Sequence, residues 1–71
     1  MERYGCRLTK RITCKGTQND ILHTGQVEAI NRAAVEQKIR EEINRVETQS
    51  DTIKVVKAEI LIDGRWHEIR L

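Results

Sequence analysis

The sequence predicts an α+β fold, a β-α-β-β chain in which a three-stranded, mainly antiparallel sheet packs on one long helix. Three observations predict it. Apolar and polar residues alternate over 4–15, a helix-period apolar stripe runs through 26–48, and Asp63-Gly64 sits between two alternating apolar runs near the carboxyl end. Seventy-one residues make one small α+β domain, residues 1–71. A chain of this size buries only about 60% of the surface its unfolded form exposes. There is no Phe, and Tyr4 and Trp66 are the only aromatics, so the core must be aliphatic.

The first strand is read from parity. Tyr4, Cys6, Leu8, Ile12 and Cys14 share one parity, and Arg7, Thr9, Arg11, Thr13 and Lys15 share the other. That is a half-buried strand with a basic, threonine-rich outer face. Lys10 interrupts the apolar parity, so a bulge or bend is expected there. A rival reading turns the chain at Thr9-Lys10-Arg11 and sets Cys6 opposite Cys14, although that tripeptide has none of the favoured turn residues. On one unbroken strand the two cysteines lie ~26 Å apart and cannot form a disulfide. They are then small hydrophobes with free thiols.

Gly16 to Gly25 reads as a connector, with Gly-Thr-Gln-Asn-Asp as its turn signal. Ile21 and Leu22 are expected to tuck against the core, and Asp20 or Thr24 to cap a helix start. Residues 26–48 follow as helix, free of Pro and Gly. Val35, Ile39, Ile43 and Val46 form one stripe at i, i+4, i+8 and i+11. Val27, Ile30 and Ala34 form a second, rotated stripe. Together the two cover more than half the circumference, so either the helix bends around the sheet or its first half meets something other than its own sheet.

Thr48 to Asp51 link the helix to the hairpin. Asp-Gly between alternating runs is the strongest short-range hairpin signal. A two-residue turn pairs Ile62 with Arg65, Ile60 with His67, Ala58 with Ile69 and Val56 with Leu71 on the helix-facing side. The opposite face carries Leu61 against Trp66, then Glu59 against Glu68 and Lys57 against Arg70. Ile53 and Val55 share this outer parity unless a bulge near Val55-Val56 switches it. The expected strand order places the first strand beside the last, as in split β-α-β folds. The alternative sets the first strand parallel to the second through a right-handed crossover.

Charge is uneven. The net is +2, with +4 over residues 1–16, −3 over 20–51 and +1 over 52–71. The total is too small to imply a polyanion partner. The first twenty residues hold no apolar run of signal-peptide length, and no stretch approaches the ~20 apolar residues of a membrane span. Two cysteines without a secretory signal point to a reducing, cytoplasmic setting.

Catalytic and cofactor chemistry find no foothold. Cys6, Cys14, His23 and His67 lack the short Cys-x2–4-Cys or His-x3–5-His spacing of structural zinc, so no metal is expected. There is no nucleophile elbow, phosphate-binding Gly loop or His-Glu pair at metal spacing. No enzyme activity and no cofactor are expected. His67 reads as a core-edge residue and His23 as a loop residue.

Two binding readings remain. The favoured one is a small regulatory or inhibitor-type protein that works by protein–protein contact, as a homo-oligomer and against a larger target. Trp66, Leu61, Ile53 and Val55 would form one contact face, and Val27, Ile30 and Ala34 a second. The alternative is nucleic-acid binding through Arg3, Arg7, Arg11 and Lys15, the last three spaced ~13 Å apart on one strand face. Trp66 would stack a base there, although single-strand-binding sheets normally offer several aromatics.

Overall fold

The chain folds into four strands and one helix: β1 Glu2–Cys14, β2 Thr17–Ala29, α1 Arg32–Gln49, β3 Ile53–Ile62 and β4 Arg65–Glu68, in a computed structural model that describes residues 1–71. The α+β class and the mainly antiparallel sheet are as expected. The strand count is not: the sheet has four strands, in the order β2-β1-β3-β4.

The extra strand is β2. It occupies the span read as a connector and the first residues read as helix. It pairs with β1 without interruption from Cys14↔Thr17 to Glu2↔Ala29. The turn between them is Lys15-Gly16, with φ of 50° and 81°. Positive φ at both central residues is the twist-matched two-residue hairpin geometry, which favours Asn, Asp or Gly at the first position. Lys at that position hides the turn from a sequence reading. Asp63-Gly64 adopts the same geometry, with φ of 51° and 76°.

Adding a strand reverses the path of the chain. β1 runs one way and β2 returns, so α1 starts at the end where β1 began. α1 then carries the chain back, and β3 descends antiparallel to β1, beside it. Both expected topologies fall for this reason: β1 does not sit beside β4, and its pairing with β3 is not parallel. β1 is continuous through Thr9-Lys10-Arg11, so the rival turn is absent and Cys6 and Cys14 are free thiols. Cys6 is half-buried, and burial raises its thiol pKa. Cys14 is exposed near the hairpin tip rather than tucked into the core.

The helix begins later than the periodicity implies. Asn31 caps it: Oδ1 accepts the Ala34 N–H at 3.0 Å, and the Asn31 carbonyl accepts the Val35 N–H at 3.2 Å. Asp20 and Thr24 lie on β2 and cap nothing. Val35 and Ile39 are buried, and Ile43 packs against the core beside them. The first three members of the first apolar stripe therefore face the sheet, while Val46 is half-buried outside the core cluster.

The core is a single aliphatic layer between α1 and one sheet face. Leu8, Ala29, Val35, Ile39, Val55, Ala58, Ile60 and Ile69 make it up. Ile60 and Val35 are fully enclosed, each worth about 2 kcal/mol of burial. A one-residue bulge decides who belongs. Thr9 pairs with Lys57 and Lys10 with Val55, so Val56 is the extra residue. Below it the parity of β3 flips, as one inserted residue must do. Val55 and Ile53 therefore lie on the inner face rather than the outer one, the switch expected of a bulge near Val55-Val56, and Val55 is 4% exposed. The Val55 N–H at the bulge is taken by Glu47 Oε2 of α1 at 3.0 Å. Val56 and Leu71, expected in the core, are exposed.

Burial fades along the β1–β2 hairpin. Every residue from Thr17 to Gln26 is exposed. The expectation that Ile21 and Leu22 tuck inward is corrected: they are 50% and 58% exposed. The helix reaches β2 only near its carboxyl end, where Val27 and Ala29 meet the core.

Candidate functional site

The helix covers one face of the sheet and leaves the other without a cover. Register and parity place Arg7, Glu59, Leu61 and Trp66 together on that outer face. Arg7 lies opposite Glu59, and Leu61 lies opposite both Gly5 and Trp66. The Leu61/Trp66 pair expected from Asp63-Gly64 is therefore present.

Gly5 shapes this surface. A Cβ there would lie 3.2 Å from Leu61 Cβ, so the missing side chain lets Leu61 lie across β1. Arg7 holds the centre. Its Nε donates to Glu59 Oε1 at 2.7 Å and its Nη2 to Oε2 at 3.2 Å, a two-pronged pair. The same guanidinium lies 4.0 Å from the centroid of the Trp66 ring. Glu59 is the one buried charged residue, at 8% exposure, and the Arg7 hydrogen bonds hold its carboxyl below the usual carboxylate range. Glu68 lies directly across from Glu59, a repulsive arrangement by itself. Lys57 Nζ sits between them, 4.0 Å from Glu59 and 3.9 Å from Glu68. No polar side chain in this cluster is buried without a partner.

The remaining candidates scatter. Arg3 pairs with Glu28 at 3.0 Å and Arg11 with Asp20 at 2.9 Å, both across the β1–β2 ladder. Every arginine of the basic row thus has its own carboxylate. Lys15 sits in the hairpin turn. The second apolar stripe dissolves as a helix face, because Val27 is on β2 and Ile30 lies between β2 and α1. Val27 and Ala34 pack against the core, and Ile30 is 76% exposed. His67 stands opposite Ile60 at the core edge, whereas His23 is on β2 opposite Leu8 rather than in a loop.

Glu59 is the contributor that sequence reading missed. Its only signal was its place opposite Arg7, and the pairing of β1 with β3 was not legible. A shallow depression of about 420 Å³ lies at the free lower edge of β3, between Val56-Lys57 and the chain end at Arg70-Leu71. Lys57, Glu68 and Arg70 are the charged groups that line it. No group of three or more His, Cys, Asp or Glu is set to hold a metal, and no helix is long and apolar enough to cross a membrane. What the outer face offers is a flat, half-buried aromatic and aliphatic pair ringed by internally neutralised charge.

No protein-family model, no curated protein and no solved structure matches this chain.

Proposed function

We propose that this chain is a non-enzymatic binding protein of the regulator or inhibitor type, acting on a larger protein through the outer face of its sheet. One observation carries the reading: Trp66 and Leu61 stand on a face that nothing in the chain covers, with Arg7 braced over the ring. Trp and Arg are the residue types that most often dominate binding energy at interfaces. Here the two are already in contact, 4.0 Å from guanidinium to ring centroid. Glu59 fixes the guanidinium and the guanidinium fixes the ring. A pre-ordered anchor loses less side-chain entropy when a partner docks.

The nucleic-acid reading draws less support. Three of its four cations, Arg3, Arg7 and Arg11, are paired with Glu28, Glu59 and Asp20, and one face of the lone Trp is occupied by Arg7. Phosphate binding would have to break these pairs.

The test is capture of partners by the native chain and by Trp66→Ala and Leu61→Asp, each checked for unchanged helix content by circular dichroism. The expected result is a stoichiometric protein partner retained by the native chain and lost from both variants. A partner retained by both variants, or a nucleic acid recovered in its place with steep salt dependence, would overturn the reading.

A further inference from the structure

β2 closes one side of the sheet, and its outer edge is open. The hairpin turn fixes which backbone groups that edge presents. In a two-residue hairpin the residues flanking the turn, here Cys14 and Thr17, exchange both hydrogen bonds. By alternation Asn19, Ile21, His23 and Gly25 aim their N–H and C=O groups at β1. Gln18, Asp20, Leu22, Thr24, Gln26 and Glu28 aim theirs outward. Glu28 confirms the direction, because its carbonyl accepts Lys38 Nζ of α1 at 2.6 Å. The unclaimed edge is therefore Gln18 to Gln26, and its midpoint is Leu22.

Natural sheets blunt such edges with Pro, Lys, bulges or a covering element. β2 has none of these. It contains no Pro, Lys or Arg, its pairing with β1 is unbroken, and residues 17–26 are exposed. Its two carboxylates carry no free charge toward a second strand. Asp20 is held two-pronged by Arg11 at 2.9 and 3.3 Å, and Glu28 is held by Arg3.

We propose that two copies of this chain pair antiparallel through their β2 edges, about a two-fold axis at Leu22, into one continuous sheet. That register uses the whole free edge. Leu22 meets Leu22 of the second copy, Asp20 meets Thr24, and Gln18 meets Gln26. On the helix side Ile21 meets His23 and Asn19 meets Gly25. Apolar meets apolar at the centre, and the Thr24 hydroxyl donates to the Asp20 carboxylate. Neighbouring registers are worse. An axis at Thr24 or at His23 needs the Glu28 carbonyl that Lys38 occupies, and an axis at Ile21 sets Leu22 against Asp20. The pairing forms about ten backbone hydrogen bonds. It buries Leu22 and Ile21, two of the most exposed large aliphatic residues of the strands. A perpendicular two-fold keeps both helices on one side and both Trp66 faces on the other. An edge contact sits at the small end of specific interfaces, below roughly 1,200 Å² in total, so the dimer is reversible.

The inference stands apart from the outer-face reading, and its test separates them. Sedimentation equilibrium and amide hydrogen exchange are measured on the full chain, on Leu22→Lys and on Trp66→Ala. At high protein concentration the native chain is expected at twice the monomer mass and to dissociate on dilution, as a small interface does. The outward amides of Asp20, Leu22 and Thr24 are then expected to be protected in the dimer. In Leu22→Lys the mass falls to monomer and those amides exchange about tenfold faster or more, while the β1-bonded amides of Ile21 and His23 stay protected and show the fold intact. Trp66→Ala is expected to dimerise normally. A chain that is monomeric at every concentration overturns the proposal. So does a dimer whose Asp20, Leu22 and Thr24 amides exchange freely, or one lost in Trp66→Ala but untouched in Leu22→Lys.

Discussion

The β3–β4 hairpin and the β1–β2 hairpin turn on the same two-residue geometry, yet they live in different surroundings. β3 is clamped between β1 and β4 with α1 on its inner face, and Val55, Ala58, Glu59 and Ile60 are buried along it. β2 has one neighbouring strand, helix cover only at its carboxyl end, and ten consecutive exposed residues at its start. The first hairpin is held by side chains that leave water. The second is held by its backbone ladder to β1 and a few cross-strand ion pairs. Apolar alternation is therefore a record of burial, not of strand formation, and a strand that buries neither face leaves no such record.

The largest expected effect breaks the β3 side of this comparison. Ile60→Ala empties a fully enclosed site and is expected to cost about 2–5 kcal/mol. For a chain of this length total stability is about 4–10 kcal/mol, so urea unfolding should move to much lower denaturant or the fold be lost. The matching change on the other hairpin, Ile21→Ala, is expected to stay within about 0.5 kcal/mol in dilute solution. Equal losses would mean that β2 is covered by something else.

Acid sharpens the contrast next. Glu59, Asp20 and Glu42 each titrate lower in the folded chain than when free, through hydrogen bonds from Arg7, Arg11 and Arg45 respectively. A lowered folded-state pKa adds stability that is complete above the unfolded carboxylate range of ~4. That stability is lost as pH falls through the folded value. Urea unfolding from pH 7 to pH 3 should therefore show declining stability, flattened more by Glu59→Gln than by Asp20→Asn. The Glu59 side chain is 11% exposed against 47% for Asp20, so added salt should weaken the Asp20 contribution first.

Asn31→Ala removes the helix cap and is expected to cost about 1 kcal/mol, read as a lower unfolding midpoint. The smallest effect lies in the turns. Lys15 adopts a left-handed conformation that suits Asn, so Lys15→Asn should stabilise by up to about 1 kcal/mol. Asp63→Asn should change little, because Asp already tolerates that conformation. A neutral Lys15→Asn would show that the β1–β2 turn is not what limits its hairpin.

Legibility followed the same division. The Val35/Ile39/Ile43 stripe, the Asp63-Gly64 turn and the Leu61/Trp66 pair could all be read, because periodicity and turn chemistry agreed there. The span 17–29 could not. Its polar residues mimic a connector, Val27 and Ile30 mimic a helix face, and Lys15 conceals the turn. Asn31, immediately before the true stripe, was the signal that would have set the helix start. In the candidate site, Trp66 and Leu61 were found from one hairpin register, while Glu59 waited on knowing that β1 lies beside β3.

By itself the sequence determined the α+β class, a single aliphatic core, the core face of the helix and the carboxyl-terminal hairpin. Each of these is a local pattern whose period is set by backbone geometry. Tertiary structure alone decided the strand order, whether the bulge foreseen near Val55-Val56 forms and so draws Val55 into the core, and the meeting of Arg7, Glu59 and Trp66. Those depend on which strands become neighbours. A single uncounted turn reverses the chain and reassigns every neighbour after it, and a single inserted residue exchanges the two faces of a strand.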